Sequence, residues 1–159
     1  MESILYRVYS SRGISAFLKA VSTVCALSAV LAYVFLLYER FVLSYVDAVK
    51  FILMSAVPFL LVSVARRLID APRPYELYDF YEKKPKKKCG SSFPSRHVFS
   101  IFLIATLALP YYLWMGISLY AIGAVLALSR VLLGVHFIRD VAAGAVIGAF
   151  AGFFGILCF

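Results

Sequence analysis

At 159 residues, with 64% hydrophobic side chains and a mean hydropathy of +0.93, the chain is far more apolar than a soluble domain, which runs near ~45–50%. Sixteen Lys and Arg against eight Asp and Glu leave a net charge of +8, a balance suited to anionic lipid headgroups or phosphate and not to nucleic acid, since the chain has no room for a soluble module. These bounds exclude a soluble enzyme and lead us to expect an all-α, membrane-embedded helical bundle forming one domain over residues 1–159.

Taken in order, Met1 to Gly13 sets Arg7 and Arg12 among Leu5, Tyr6, Val8 and Tyr9, which reads as a short interfacial helix. Ile14 to Tyr38 is apolar over more than the ~20 residues a bilayer requires, and also longer than the ~7–15 of a signal core. It is therefore expected to be a retained first span. Glu39-Arg40 reads as a tight polar connection to a second span, Phe41 to Ala65, in which Asp47 and Lys50 are placed to pair and Pro58 to kink the helix. The polar segment from Arg66 to Arg96 follows, with Tyr75, Tyr78, Phe80 and Tyr81 ahead of the Lys83 to Lys88 run, a solvated loop by composition.

A third span begins at His97 and turns at Pro110 to Trp114; a fourth runs to about Leu128 and a fifth from about Val141. In the fifth, Gly144, Gly148 and Gly152 recur every four residues, so another helix can approach closely, inside the bundle or, as the alternative use, across a homodimer seam. Cys25, Cys89 and Cys158 follow no metal-ligand spacing. Five spans put three polar stretches on one membrane side: Arg66 to Pro74, Pro94 to His97 and Ser129 to Asp140.

Those stretches hold both histidines of the chain. His136 and Asp140 are four apart, so on a helix the carboxylate can hold one imidazole nitrogen while the other faces a substrate. Arg130 offers a planar, permanently charged fork suited to phosphate. Pro94 suits a first helical turn, so Ser95 and the adjacent amides, including that of Arg96, form an anion cradle at a helix start.

Arg130 to His136 with Asp140 resembles the third signature of the type 2 phosphatidic acid phosphatase superfamily, S-R-x5-H-x3-D, and Pro94-Ser95-Arg96-His97 is similar to its second, P-S-x-H. Its first, K-x6-R-P, maps onto Arg66 through Arg73-Pro74 with arginine in place of the usual lysine, and Arg67 stands beside it as an alternative. The resemblance implies a catalytic core over residues 66–140 of a metal-independent lipid phosphate phosphatase without a cofactor. His136 would be the nucleophile, Asp140 its orienter, and His97 the acid and base. Arg66, Arg73, Ser95, Arg96 and Arg130 would bind phosphate. The family commonly carries six spans; the five counted here leave this core intact and put the N-terminal stretch on the active-site side.

A site walled by apolar helices favours a lipid-borne phosphate: phosphatidic acid, phosphatidylglycerol phosphate, a polyprenyl diphosphate or a glycolipid phosphate. A lipid phosphotransferase using the same phosphohistidine, and a non-hydrolytic lipid-binding or transport module, are the alternatives. Of the sixteen Lys and Arg, all but Arg40 and Lys50 fall on the active-site side, so the positive-inside rule puts that face in the cytoplasm, with a bacterial inner membrane as the expected setting.

Overall fold

The computed structural model describes residues 2–77 and 90–158; Tyr78, Phe80, Tyr81, the Lys83 to Lys88 run and Cys89 lie outside the described residues. Among the described residues seven helices follow in order: α1 Glu2–Ser10, α2 Arg12–Leu43, α3 Tyr45–Ile69, α4 Pro74–Leu77, α5 Arg96–Ala108, α6 Leu113–Leu132 and α7 Ile138–Cys158. The all-helical reading holds. Four of them, α2, α3, α6 and α7, are long and apolar enough to cross a bilayer, and the protein is a multi-pass membrane protein.

The third expected span is different in kind. With 13 residues, α5 is too short to cross alone, yet it is the axis on which the bundle is built, packing against α7, α6, α2 and α3. Its apolar residues are buried all round, with Val98, Phe99, Ile101, Ala105 and Ala108 fully shielded. A helix that is apolar on every side belongs inside a bundle, and flanking helices shield it from lipid.

The glycines of α7 explain how close the axis is held. A Cβ at Gly144 would lie 2.6 Å from the Ser95 carbonyl oxygen, and one at Gly152 would lie 2.6 Å from Thr106 Cβ. At Gly148 it would run into the Phe99 carbonyl oxygen. The stripe is therefore used within the chain, against α5, the first of the two uses its spacing allows.

Two local expectations are corrected. Glu39-Arg40 is not a connection: α2 runs on through it, and the break falls at Ser44, whose extended backbone (φ −164°) ends one helix and starts the next. The apolar residues Phe41, Val42 and Leu43 continue the helical run, and two charged residues at a helix end interrupt nothing. Asp47 and Lys50 share α3 but form no ion pair among the described residues. α3 runs on through Pro58 as one helix. At the N-terminus, α1 buries Leu5 and Val8 and packs on α2 and α6, leaving Tyr6 and Tyr9 exposed, as an interfacial helix requires.

Candidate active site

Three chain segments meet at one end of the bundle, and backbone hydrogen bonds fix how. After α3, Asp70 takes a left-handed conformation (φ 41°) and turns the chain. Its carboxylate accepts hydrogen bonds from Ser91 N at 2.9 Å and Ser91 Oγ at 3.0 Å. Ser92 N donates to Ala71 O at 2.8 Å, and Glu76 accepts from Gly90 N at 2.9 Å. The loop before α5 is thus stitched to the segment after α3. Gly90 sits at φ 69° against the Asp70 carboxylate, where a Cβ would collide.

Arg66 and Arg73 take part in that stitching. Arg66 is buried and donates from Nη1 to Pro94 O at 2.9 Å, whereas Arg67 is exposed, so Arg66 is the inward-facing member of the pair. Arg73 Nε donates to Gly90 O at 3.1 Å. A guanidinium carries five N–H groups, so each keeps donors for an anion after holding a carbonyl.

The second segment supplies the helix start. Ser95 caps α5 with an extended backbone (φ −73°, ψ 109°), and its N–H donates to the Asp140 carbonyl at 2.9 Å. That bond ties the start of α5 to the start of α7. The Ser95 hydroxyl is fully buried and has no hydrogen-bond partner among the described residues, and Arg130 Nε shares that condition at the end of α6. Leaving a buried polar group unpartnered costs about 1–3 kcal/mol, so two of them at one site suit a polar ligand with oxygens to share.

The third segment carries His136. Sequence spacing suggested that His136 and Asp140 share a helix; instead α7 begins at Ile138, and His136 lies in the turn after α6. Gly134, at φ 65°, makes that turn, and the Arg130 carbonyl accepts Val135 N at 3.1 Å and His136 N at 3.4 Å. The two side chains still meet, with His136 Nδ1 3.6 Å from Asp140 Oδ2, but the link runs through a residue that spacing did not single out. Ser92 Oγ donates to Asp140 Oδ2 at 2.5 Å and lies 3.3 Å from His136 Nδ1. A hydroxyl has one proton. Given to the carboxylate, it leaves only acceptor capacity towards Nδ1, so Nδ1 carries the imidazole proton and Nε2 keeps a free lone pair. Asp140 Oδ2 also accepts Phe137 N at 3.0 Å, and Arg139 Nε lies 3.6 Å from Oδ1.

Burial pushes the His136 pKa below its ordinary value, and the charges of Arg66 and Arg73 add to that, while the Asp140 carboxylate pulls the other way. The ring is accordingly neutral near pH 7, the form in which a lone pair is available. His97, by contrast, is exposed to a cleft. The space beside His97 is bounded by Arg96 and Arg130.

From that space a cleft of about 490 Å3 runs down the bundle, with Arg96, His97 and Arg130 at its polar end and Ala26, Leu27 and Val30 of α2 along one wall. A second cavity of about 300 Å3 shares Val30, Phe59, Ser100 and Ile104 with it and continues to Tyr33 and Ser55, which hydrogen-bond at 3.0 Å. The shared wall carries an apolar path from His97 towards the middle of α2 and α3.

A family model described as the PAP2 superfamily matches residues 47–159, from the first turn of α3 to the end. The chain belongs to the PAP2 superfamily. No curated protein matches it significantly in sequence. Among solved structures, this PAP2 protein is similar to LpxE from Aquifex aeolicus, with a TM-score of 0.71 and 24% identity over 92% of this chain and 87% of that one. It is also similar to a transmembrane PAP2-type phosphatidylglycerolphosphate phosphatase from Bacillus subtilis, with a TM-score of 0.61 and 20% identity over 98% and 90% of the two chains. These likenesses establish a PAP2 membrane fold, into which the three polar segments and the groove described above are built.

Proposed function

We propose that this PAP2 protein hydrolyses a lipid-borne phosphate through a phosphohistidine on His136. The observation that carries the reading is the Ser92-bridged contact between Asp140 and His136, which leaves a lone pair on Nε2; Arg130, whose carbonyl accepts the His136 N–H, lines a cleft together with His97. Nε2 attacks phosphorus and the bond to the lipid oxygen breaks, with His97 giving that oxygen a proton. Water, deprotonated by His97, then attacks the phosphohistidine and releases inorganic phosphate. Asp140 and Ser92 hold the ring and its Nδ1 proton throughout, stabilising the positive charge that develops when Nε2 bonds to phosphorus.

Arg130, Arg66, Arg73 and the buried Ser95 hydroxyl receive the non-bridging oxygens, together with the amides at the start of α5. Arg96, on the groove side of His97, meets the headgroup beyond the scissile bond. The apolar groove favours an acyl or prenyl chain over a soluble phosphate ester. The Bacillus subtilis relative is named for phosphatidylglycerolphosphate, which makes that lipid a first substrate to test beside phosphatidic acid and a polyprenyl diphosphate.

Phosphate release by the detergent-purified protein with EDTA present tests the reading. Activity on at least one of these lipids is expected, and His136→Ala should lower it at least ~1,000-fold without loss of fold. Undiminished release by that variant would refute the nucleophile assignment. Release that requires an acceptor lipid would turn the reading into phosphotransfer, and saturable lipid binding with no turnover into a binding or transport module.

The charge distribution of the sequence supports an active face in the cytoplasm of a bacterial inner membrane, since counting spans assigns every Lys and Arg except Arg40 and Lys50 to the active-site side. Arg139, 67% exposed at the active-site end, offers a test. A single cysteine there, introduced as Arg139→Cys in a chain stripped of its own, should resist an impermeant thiol reagent in intact cells; ready labelling sinks the assignment.

A further inference from the structure

At the end of the bundle opposite the histidines, a cavity of about 200 Å3 opens among the ends of α2, α3, α5 and α7, lined by Arg40, Asp47, Lys50, Tyr111 and the apolar Phe51 and Ile156. Nothing in the phosphatase reading uses it. The Arg40 guanidinium lies over the Tyr111 ring, 3.8 Å from its centroid, while its Nε is buried with no hydrogen-bond partner among the described residues. The adjacent acid is engaged elsewhere, the Glu39 carboxylate accepting the Tyr112 hydroxyl at 2.6 Å. Asp47, Lys50 and Arg40 form no ion pair with one another among the described residues. Two cations and one carboxylate thus face one small space with an excess positive charge and a donor unspent.

We propose that this cavity binds the phosphodiester headgroup of an anionic phospholipid from the leaflet opposite the active site. Arg40 and Lys50 hold the non-bridging oxygens, Arg40 being fixed in orientation by its stacking on Tyr111. Asp47 accepts from a headgroup hydroxyl. The volume is below the ~300–1,000 Å3 of a site that encloses a whole small molecule, so a headgroup enters while its chains stay along the helices. The depth fits, since Tyr111, Tyr112 and the exposed Trp114 form an aromatic belt at that end, the level at which phosphates lie. A choline headgroup fits less well: its quaternary ammonium donates nothing to Asp47 and brings a positive charge to a cluster already in excess of it. Binding would join the α2–α3 break, the α5–α6 turn and the end of α7, and so stabilise the bundle.

Thermal unfolding of the full chain in detergent, carrying His136→Ala to prevent turnover, tests the site with phosphatidylglycerol, phosphatidylcholine and inorganic phosphate as separate arms. Phosphatidylglycerol is expected to raise the unfolding temperature more than phosphatidylcholine, with inorganic phosphate giving no comparable rise. Arg40→Gln with Lys50→Gln should weaken the apparent phosphatidylglycerol affinity about tenfold or more, as expected for lost charge-assisted hydrogen bonds. Lys50→Gln alone, at a half-buried position, guards against a double variant that does not fold and should show part of the loss. Equal increments in the parent and Lys50→Gln, equal increments from the two lipids, or a rise reproduced by inorganic phosphate alone would each overturn the proposal. Because none of these outcomes depends on catalysis, failure here leaves the phosphatase reading standing.

Discussion

Helices α7 and α2 both pack on α5, but they do so in opposite ways. α7 sets Gly144 and Gly148 against the Ser95 and Phe99 backbone and Gly152 against the Thr106 side chain, and carries Asp140 to the Ser95 amide. α2 meets it through side chains, keeps much of its own surface exposed, and gives Ala26, Leu27 and Val30 to the groove. The first contact fixes atoms that must stay within tenths of an ångström of one another; the second bounds a space for a flexible chain. α2 also lies ahead of the residues that match the PAP2 family, residues 47–159. On the proposed function, the chemistry belongs to the rigid α5–α7 frame and the choice of lipid chain to a wall that can be rebuilt.

That contrast can be broken most severely at Gly148. Gly148→Leu should destabilise the protein by ~3 kcal/mol or more, since its side chain would meet α5 backbone that cannot yield, and activity should disappear with the fold; an unchanged unfolding midpoint would show that the frame is softer than its geometry implies. Ser92→Ala should leave the fold intact and lower kcat about 10–100-fold with little change in KM, as the loss of a supporting partner does. In the parent, the acid limb of kcat/KM should lie below the ordinary histidine value of ~6.5, because burial keeps His136 neutral, and therefore nucleophilic, at pH values where a free imidazole is protonated. A limb at or above that value would remove His136 from the nucleophile role. The smallest effect is expected on the wall: Val30→Trp should raise KM for a long-chain substrate about tenfold and leave a short-chain water-soluble ester untouched. A matching loss on both would mean that the groove does not hold the chain.

Much of this was legible before any coordinates. Hydropathy marked the apolar runs because burial in lipid leaves a composition trace, and the clustering of Arg66, Arg73, His97, Arg130, His136 and Asp140 on one side followed from counting spans. Helix ends were less legible. Glu39-Arg40 resembled a connection because charge is rare in a span, yet charge at the headgroup level is tolerated in a helix that continues, and the break was set by Ser44. Ser92 was invisible because its role depends on two partners more than forty positions away, His136 and Asp140, and a serine in a loop carries no periodic signal. Residue type marks Arg66, in the last turn of α3, and Arg73, beyond it, as phosphate ligands; their bonds to the Pro94 and Gly90 carbonyls come from loop geometry that residue type alone does not encode.

The 13 residues of α5 span about 20 Å at ~1.5 Å per residue, against a hydrocarbon thickness of ~30 Å. If its far end reaches one boundary, the end bearing Ser95 and His97 stops roughly 10 Å short of the other. The arginines and histidines then form the floor of a polar well sunk into one leaflet. A lipid headgroup would slide sideways into such a well without rising out of its layer, and the reagent that has to travel is water.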